Sequence, residues 1–394
     1  MRMEYEKLKY IATFPTGKLN SNAAEIDGKY PFFTCAHEIY RINTYSYDGE
    51  YVLLGGNNAS GDFPIFYYNG KFDAYQRTYL IQPVDSNSYL TRYLYYAIGL
   101  RLSQMKGNAA GTATKFLTQS ILNNLFIEIR RTDKQKKIIT VLSAYDNLIE
   151  VNNKRIKALE QMAENLYKEW FVRFRFPGHE TAEFENGIPK GWKTQSLGKW
   201  LVDNFNGGWG EENYTDKTPF MAYVIRGTDI EDINNSHFHD VPCRYHKKTD
   251  FENKQLCQND IILELSNGNI NNIGRTLFVR EKLLSHFNTV ICASFCKTLR
   301  FANKEIAFFV WKYIEYLQYS GLLSFYKNTG ANGINNFNFK RFLRMPICIP
   351  MDFSLLRIIM KYSDEAAVIR ELNYNLIKQR DLLLPRLMSG KLEV

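Results

Sequence analysis

The sequence contains no long apolar run, and this absence narrows the class of protein. The most apolar candidate, residues 306–317, is interrupted by Lys312 and Glu315, and no segment approaches the roughly 18 apolar residues of a membrane-spanning helix. The first residues, MRMEYEKLKYIA, include no stretch of the signal-peptide type. Six scattered cysteines do not form a disulfide framework. We therefore expect a soluble, reduced, cytoplasmic protein without membrane contact.

Motifs for catalytic chemistry are also missing. No Walker A pattern is present, which argues against an ATP-driven motor. Two Gly-rich segments, residues 207–210 and 329–333, do not follow a strand of a βαβ unit, so ordinary turns explain them better than cofactor loops. The Asn-Pro-Pro-aromatic tetrad of amino-methylating enzymes is absent, as is the acidic pair with Glu-x-Lys of many nucleases. The sequence predicts no catalytic site and no cofactor of its own.

Histidines are few, and one cluster with cysteines raises the question of a metal site. The cluster consists of His237, His239, Cys243, His246 and Cys257. Structural zinc sites usually have tighter paired spacing, so we favour surface histidines and a packed thiol and predict no metal. Asp260 and Glu264 flank an apolar strand, and we interpret them as charges at a strand edge rather than as an acid–base pair.

What the sequence does contain is positive charge and many aromatic residues. The formal net charge is +9, and there are 26 Tyr and 27 Phe in 394 residues. A chain of this length suits two globular units plus connecting structure. The charge points to an anionic partner, either a nucleic acid or a membrane surface, although an incidentally basic protein would show it too.

Two stretches carry helical periodicity. The first, from about Asp133 to Arg173, lacks Gly and Pro and holds an apolar stripe for more than four heptads. Thr132 and Gln135 have capping-box spacing at its start, and Pro177 follows its end. At about 1.5 Å per residue, such a helix is on the order of 60 Å long.

The second helical stretch repeats the first. It lies between Pro350 and Pro385, with Asp352 placed to cap its first turn. A shift of 220 residues aligns the two helices without a gap and includes polar positions, since Asn153 meets Asn373. Two amphipathic helices of matching length would bury their stripes best against each other.

The repeat extends to the globular parts. Residues 48–61 resemble residues 259–274, each an apolar strand entering a Gly/Asn-rich turn, and residues 71–83 resemble residues 287–301. The copies start 189 residues apart and end 220 apart, so the second holds about 31 extra residues. We conclude that the chain is a tandem duplication.

These patterns predict an α+β fold, with two similar α/β domains alternating with two long helices that pair as an antiparallel coiled coil. The predicted boundaries are a first domain at 1–130, a central helix at 131–176, a second domain at 177–350 and a distal helix with tail at 351–394.

The turns of both domains are rich in Asn, Gln, Ser, Gly and Arg. Asn and Gln can bind adenine edges bidentately, Arg can bind guanine, and Gly lets the backbone approach phosphates. Any α+β domain also turns with such residues, so that interpretation stays open. The candidate DNA-binding residues are Asn57, Asn58, Ser60, Gln76, Arg77, Thr112, Lys115, Asn267, Asn269, Asn272, Arg275, Asn335, Asn336, Lys340 and Arg341.

Three segments resemble a known family. The run KQKKIITVLSAYDNLIEVNNKRIKALEQMAENLYKEWFVRFRFPG, at residues 134–178, resembles the central helical region of the specificity subunit of type I restriction–modification systems. IPKGW at 188–192 is similar to the motif that opens that family's second target-recognition domain, and residues 377–394 resemble its distal helical region. The family's Pro-Pro-x-x-x-Gln entry to each helix is reduced to Gln135, so this motif does not define where each helix starts.

The resemblance implies a non-catalytic subunit that reads a bipartite double-stranded DNA target. Its target-recognition domains each read half of the site, and its helices bind two DNA adenine methylase subunits that use S-adenosylmethionine. A restriction subunit that cuts with ATP, acting as a translocase, joins them in defence against foreign DNA. Candidate methylase-docking residues are the helix aromatics, unless these close the core between the helices: Tyr145, Tyr167, Trp170 and Tyr362.

Three alternatives remain. The subunit could serve a fused nuclease–methylase enzyme, the chain could be a self-sufficient DNA methyltransferase with an unrecognised site, or it could be a structural coiled-coil protein whose charge is incidental.

Overall fold

The computed structural model describes residues 4–58, 61–108, 116–329 and 335–393. The chain divides into two compact units. Unit 1 comprises Met1–Ile149 and Leu376–Val394, and unit 2 comprises Glu150–Asn375. Each unit contains a mixed α/β globule together with part of each long helix.

Unit 1 is built on a six-stranded sheet. Six strands form this sheet and two more form a separate pair. Among the described residues, the eight strands of unit 1 are β1 (Glu4–Lys7), β2 (Ala12–Thr13), β3 (Tyr30–Phe33), β4 (Tyr40–Ile42), β5 (Tyr47–Gly55), β6 (Ile65–Ala74), β7 (Thr78–Pro83) and β8 (Phe126–Ile129). Its helices are α1 (Leu8–Ile11), α2 (Thr91–Asn108), α3 (Gln119–Asn123) and the start of α4 (Thr132–Tyr167). The strand order is β2-β7-β5-β6-β3-β4, antiparallel except for the parallel pair β3–β6, while β1 pairs with β8.

The apolar residues of strand β5 alternate between two cores. Val52 and Leu54 face the core that includes Tyr93 of helix α2, whereas Leu53 faces a second core that includes Phe33. Because successive side chains of a strand point to opposite faces, a strand covered on both sides is apolar at every position. Each such buried side chain contributes about 1.5–3 kcal/mol.

Unit 2 has more and shorter elements. Its strands are β9 (Phe184–Glu185), β10 (Ile188–Pro189), β11 (Trp192–Ser196), β12 (Leu201–Asn206), β13 (Phe220–Ile225), β14 (Cys243–His246), β15 (Ile261–Glu264), β16 (Ser266–Asn267), β17 (Thr276–Phe278), β18 (Val290–Cys292), β19 (Cys296–Phe301), β20 (Lys327–Thr329), β21 (Asn335–Phe337) and β22 (Pro346–Pro350). Its helices are α5 (Ile230–Asn234), α6 (Lys248–Asn253), α7 (Glu281–His286), α8 (Lys304–Tyr319), α9 (Phe339–Leu343) and most of α10 (Ser354–Met388).

The two globules share strand order and register. We name residues 4–129 the first copy and residues 192–350 the second copy. The order β12-β19-β15-β17 in the second copy repeats β2-β7-β5-β6 in the first, and β11 pairs with β22 as β1 pairs with β8. The register also repeats, because Val52 faces Ile81 as Ile261 faces Leu299. The predicted internal duplication is confirmed.

Most of the extra residues of the second copy lie in two places. Residues 226–260 replace the shorter residues 34–51, and residues 279–289 interrupt what is a single strand, β6, in the first copy. Both insertions contact helix α10 within unit 2. Arg280 forms an ion pair with Asp364, and the rings of His237 and His239 lie against Tyr374.

One glycine in each copy permits a close crossing of chain segments. The amide of Gly17 donates to the Thr78 carbonyl at 3.0 Å, and that of Gly207 donates to the Cys296 carbonyl at 3.1 Å. A Cβ atom at Gly207 would lie 1.9 Å from the carbonyl oxygen of Cys292. Gly207 is therefore a structural glycine, consistent with the interpretation of GGWG as a turn.

The starts and ends of the long helices differ from the predicted ones. Gln135 does not complete a capping box with Thr132. Its buried side chain donates to the carbonyls of Ser88 and Arg130 at 2.7 Å and accepts from the amide of Leu90. It thereby fixes the loop before α2 to the start of α4.

Helix α10 does not stop at Pro385 but continues through it to Met388. Proline lacks an amide hydrogen and removes one helical hydrogen bond. In unit 1, Leu387 and Met388 are buried in the core with Ile138 and Leu142, and this packing compensates for the lost bond.

Within each unit, residues of α4 contact residues of α10. In unit 2 the buried Asn152 amide donates to Asn373 Oδ1 at 2.8 Å, and the Asn373 amide donates to Asn153 Oδ1 at 2.9 Å. In unit 1, Arg380 donates to Asp146 at 2.9 Å. No helix among the described residues is long and apolar enough to cross a bilayer.

Candidate nucleic-acid interface

In the first copy, three chain segments meet where strand β5 ends. The amide of Gly56 donates to the carbonyl of Arg77 at 2.8 Å, and the amide of Leu117 donates to the carbonyl of Gly56 at 2.9 Å. Asn57 forms a bridge with Phe116. We name residues 56–58, 76–77 and 116–117 the first edge.

The second copy holds the same arrangement where strand β15 ends. The amide of Leu265 donates to the carbonyl of Phe295 at 2.8 Å, and the amide of Phe337 donates to the carbonyl of Leu265 at 2.7 Å. Ser266 pairs with Asn336, as Asn57 does with Phe116. We name residues 265–267, 294–295 and 335–337 the second edge.

The first edge brings together four of the predicted residues. Gln76 and Arg77 are exposed, and Asn57 and Asn58 are half-buried beside them. The backbone of Gln76 is held by a hydrogen bond from its amide to the Leu19 carbonyl, at 2.8 Å. Ser60, Thr112 and Lys115 lie outside the described residues.

In the second copy, most of the predicted asparagines shape the turn itself. Asn267 Oδ1 accepts from the amide of Asn269, whose own Oδ1 accepts from the amide of Asn271. The buried Asn335 donates to the carbonyl of Gly268 at 2.9 Å. Such side-chain bonds stabilise turns. Exposed Asn336 accepts from Ser266 Oγ at 2.6 Å and lies on the outer surface of the second edge.

Three further predicted residues lie beside the second edge. Asn272 is half-buried and is the last residue of the short helical turn of residues 270–272. Lys340 and Arg341 are exposed on helix α9, where Asn338 caps the first turn by accepting from the Arg341 amide at 3.1 Å. These two cations have the exposure that contacts with phosphates require.

The interpretation of Asp260 and Glu264 as edge charges is wrong, because both carboxylates are buried in ion pairs. Asp260 accepts from Arg300 at 2.7 and 2.9 Å, and these hydrogen bonds raise the pKa of Arg300 above its ordinary value. Glu264 accepts from Arg275 at 2.9 Å. The two arginines are distant in sequence from their partners, so periodicity could not reveal the pairs.

Glu264 also joins Arg275 to the second edge. Its Oε1 accepts from the side-chain amide of Asn267 at 2.7 Å, while Arg275 donates onward to the carbonyl of Gly227 at 2.8 Å. Arg275 was expected to contact DNA. Its guanidinium is committed to these internal partners, so we assign it a role in positioning the turn.

The candidate docking aromatics have different environments. Tyr167 is only 2% exposed, packs against Phe171 and Phe309 and donates to the Phe309 carbonyl at 3.0 Å. Burial raises its pKa well above the ordinary value. A side chain in this position closes the core of unit 2 and cannot dock a partner, which corrects the expectation for Tyr167.

The other three docking candidates, Tyr145, Trp170 and Tyr362, are half-buried. Trp170 and Tyr362 pack against the same core as Tyr167, so only part of each side chain is available to a partner.

The histidine and cysteine cluster does not converge. Among the described residues, no group of three or more His, Cys, Asp or Glu side chains is arranged to hold a metal ion. His237 and His239 stack with Tyr374, whereas His246 is buried, which lowers its pKa.

Unit 2 also contains a cavity of about 980 Å³ beside helix α8. Its walls are charge-balanced, because Arg280 pairs with Asp364 and Lys282 pairs with Glu371. The cavity walls therefore carry no surplus of positive charge that would favour a polyanion.

Two exposed aromatic residues of the edges were not among the predicted residues. Phe116 in the first edge is 54% exposed, and Phe295 in the second is 65% exposed. The alignment of residues 71–83 with 287–301 could have identified Phe295, because it places Phe295 opposite the predicted residue Arg77. Phenylalanine carries no hydrogen-bonding group, so the pattern of donors and acceptors in the turns does not indicate it.

Comparison with known proteins supports the predicted resemblance. Residues 3–161 match the family model described as the type I restriction modification DNA specificity domain. The chain is 32% identical over 180 residues to the type I restriction enzyme EcoDI specificity subunit of Escherichia coli, covering 46% of this chain and 39% of that protein. It is 31% identical over 159 residues to the MjaIX specificity subunit of Methanocaldococcus jannaschii, covering 38% and 37%. The chain thus matches about two fifths of the length of these relatives.

The fold has a counterpart among solved structures. The S subunit of a type I restriction–modification system from M. genitalium aligns with 98% of this chain and 96% of its own, with a TM-score of 0.60 and 14% identity. That likeness concerns the fold. The sequence matches show that residues 3–161 carry the type I restriction modification DNA specificity domain and that the chain is similar to type I specificity subunits.

Proposed function

We propose that the chain is the DNA-recognition subunit of a type I restriction–modification enzyme and that each copy reads one half of a bipartite target. The observation that carries this proposal is the pair of edges, in which the same backbone hydrogen bonds present different side chains. Two equivalent frames with different chemistry suit two half-sites of different sequence. We retain 1–130 and 177–350 as the proposed target-recognition domains, and 131–176 and 351–394 as the helical regions.

The proposed subunit performs no chemistry itself, as specificity subunits generally do not. Methyl transfer to adenine would belong to methylase subunits, and cleavage to a restriction subunit. The role of this chain is to position them, with exposed cations such as Lys340 and Arg341 contacting phosphates beside the bases that are read.

The two long helices are proposed to pair antiparallel along their length and to set the distance between the half-sites. Support comes from each unit separately. In unit 2, Asn152 contacts Asn373, and Ile156 shares a core with Ile369. In unit 1, Asp146 pairs with Arg380. A buried Asn pair within an apolar seam is a device that fixes the register of paired helices.

Exposed apolar residues on the helices are the proposed docking positions for the methylase. Leu148 and Met162 on α4 are exposed. The corresponding positions of α10, 220 residues later, are Val368 and Leu382, which are exposed as well. Because the same positions recur in both helices, they support two equivalent docking sites and hence two methylase subunits.

The test is methylation by the reconstituted complex. We expect the chain mixed with the methylase subunit of its system to methylate a split DNA motif, mapped by sequencing the modified DNA. The chain alone with S-adenosylmethionine, or with Mg²⁺ and ATP, should neither methylate nor cut. Turnover by the lone chain would favour a self-sufficient methyltransferase, and a complex without sequence preference would contradict the proposal. Cleavage by a single-chain partner would indicate a fused nuclease–methylase.

A further inference from the structure

The two edges differ in side-chain chemistry at a position that the shared backbone holds fixed. The main-chain carbonyls of Arg77 and Phe295 accept equivalent hydrogen bonds, both at 2.8 Å, from the segment that follows the central strand. Both side chains project from the protein, and Phe295 is 65% exposed. Because the backbone frame is equivalent, what each edge can select at this position depends on the side chain.

The chemistry of the two side chains fits different bases. A guanidinium can donate two parallel hydrogen bonds to O6 and N7 of guanine in the major groove, whereas an aromatic ring makes an apolar contact with the 5-methyl group of thymine. Among the described residues, no carboxylate pairs with the guanidinium of Arg77, so its donors are available to a base.

The basic residues that follow Phe295 in the sequence do not present a free positive charge beside its ring. Lys297 lies over the ring of Phe339 at 4.8 Å and donates to Asn204 at 3.4 Å, while Arg300 is paired with Asp260. The charged groups nearest in sequence to Phe295 are therefore engaged with the protein. The exposed group at this position is apolar.

We propose that this position specifies one base pair in each half of the target, a guanine through Arg77 and a thymine, by its methyl group, through Phe295. The proposal rests on the proposed function and adds to it the residues that select two bases. The sequence of the target follows in part: the half read by the first copy contains the guanine, and the half read by the second contains the thymine.

The experiment measures binding of the chain–methylase complex to duplexes that lack single base groups. Replacing each thymine of the second half-site by uracil, one at a time, should weaken binding about fourfold at one position, the effect of one methyl group. Phe295→Ala should abolish that sensitivity. Replacing one guanine of the first half-site by 7-deazaguanine should weaken binding about tenfold, and Arg77→Ala should abolish that loss.

Matched variants separate base reading from general effects. Phe184→Ala removes another exposed phenyl group of unit 2, and Lys9→Ala removes another exposed charge of unit 1; both should retain the sensitivity to uracil and 7-deazaguanine. If Arg77→Ala weakens binding to every sequence alike, Arg77 contacts phosphate and the proposal is overturned. Unchanged base sensitivity in Phe295→Ala overturns it too. A wild-type complex without sequence preference would instead refute the proposed function.

Discussion

Glu264 links the turn of the second edge to a buried ion pair. Its carboxylate accepts from Asn267 on the turn and from Arg275 behind it, and its side chain is only 3% exposed. In the first copy the equivalent strand end is Gly55, packed against Pro64 without any charge. The two turns are therefore held by different forces.

Glu264→Gln should affect the two half-sites unequally. The substitution leaves the Arg275 charge unpaired, which should lower the free energy of unfolding of unit 2 by about 3 kcal/mol. It should also weaken the sequence preference at the second half-site while sparing the first. Urea denaturation and the methylated motif measure these effects.

The control is Asp260→Asn, which breaks the ion pair with Arg300 at the opposite end of the same strand. It should cost comparable stability and leave both half-site preferences intact. Loss of preference in both variants would mean that stability alone, and not the bond to Asn267, governs the turn.

His246 gives unit 2 a dependence on pH. Its ring is buried, and neither nitrogen has a hydrogen-bond partner among the described residues. Burial lowers its pKa, Lys254 lowers it further and Asp250 opposes them. The unfolded chain takes up a proton below about pH 6.5, whereas the folded chain resists it. We expect the unfolding free energy of unit 2 to fall as the pH drops below about 6.5.

His246→Phe should flatten this pH profile of unit 2, since the new side chain does not titrate. His37→Gln, which replaces an exposed histidine, should leave the slope unchanged. Urea denaturation between pH 5 and 8 provides the measurement. An equal slope in His246→Phe and the wild type would assign the pH dependence to other groups.

At the scale of elements, substitutions on α4 and α10 can test whether their exposed apolar residues bind the methylase. Leu148→Asp and Val368→Asp should each weaken methylase binding tenfold or more at one site, because a carboxylate replaces an apolar contact of about 1.5–3 kcal/mol. Native mass spectrometry should then show one methylase subunit for either variant and none for the double variant. Val202→Asp, at an exposed position on strand β12, should retain two.

Sequence reasoning located the elements better than it located their partners. The long helices, the repeat and the central strands follow from periodicity and from local resemblance, because each is encoded in contiguous residues. The parallel pairing of β13 with β18 joins residues such as Tyr223 and Val290 across an insertion, and no local pattern specifies it. Local spacing assigned Gln135 to a capping box or an entry motif and could not reveal its three hydrogen bonds, because these join it to backbone groups of Ser88, Leu90 and Arg130.

The positions of the edges could be predicted from local sequence, but the role of each residue in them could not. Asparagine-rich turns identified the right places, but the sequence could not separate residues that build the turn, such as Asn335, from those that lie on its surface, such as Asn336. That distinction depends on burial, which arises only when β20 and β21 pair.

At the scale of the whole molecule, the proposed helix pair predicts that helix length sets the distance between the two half-sites. Inserting four residues into α4 and four into α10, away from the Asn152–Asn373 contact, would add about 6 Å to the pair and rotate each stripe by only about 40°. We expect the same two half-sites separated by one or two more base pairs, at about 3.4 Å each. The methylated motif is the readout. An active complex with an unchanged spacer would contradict the proposal that helix length sets the distance between the half-sites.

Swapping the first copy alone for that of a relative is the complementary change. It should alter one half-site and leave the spacer unchanged, because the helices are retained. A change in the spacer would show that the globules contribute to it.

The division of the chain into units has a consequence for biosynthesis. Unit 2 is one continuous segment, Glu150–Asn375, whereas unit 1 needs Leu387 and Met388 to fill a core that begins with Leu8. Domains generally acquire structure in the order in which the ribosome releases them. Here the globule that emerges first is completed after unit 2, so the nascent first copy must wait, with part of its core open, until helix α10 has left the ribosome.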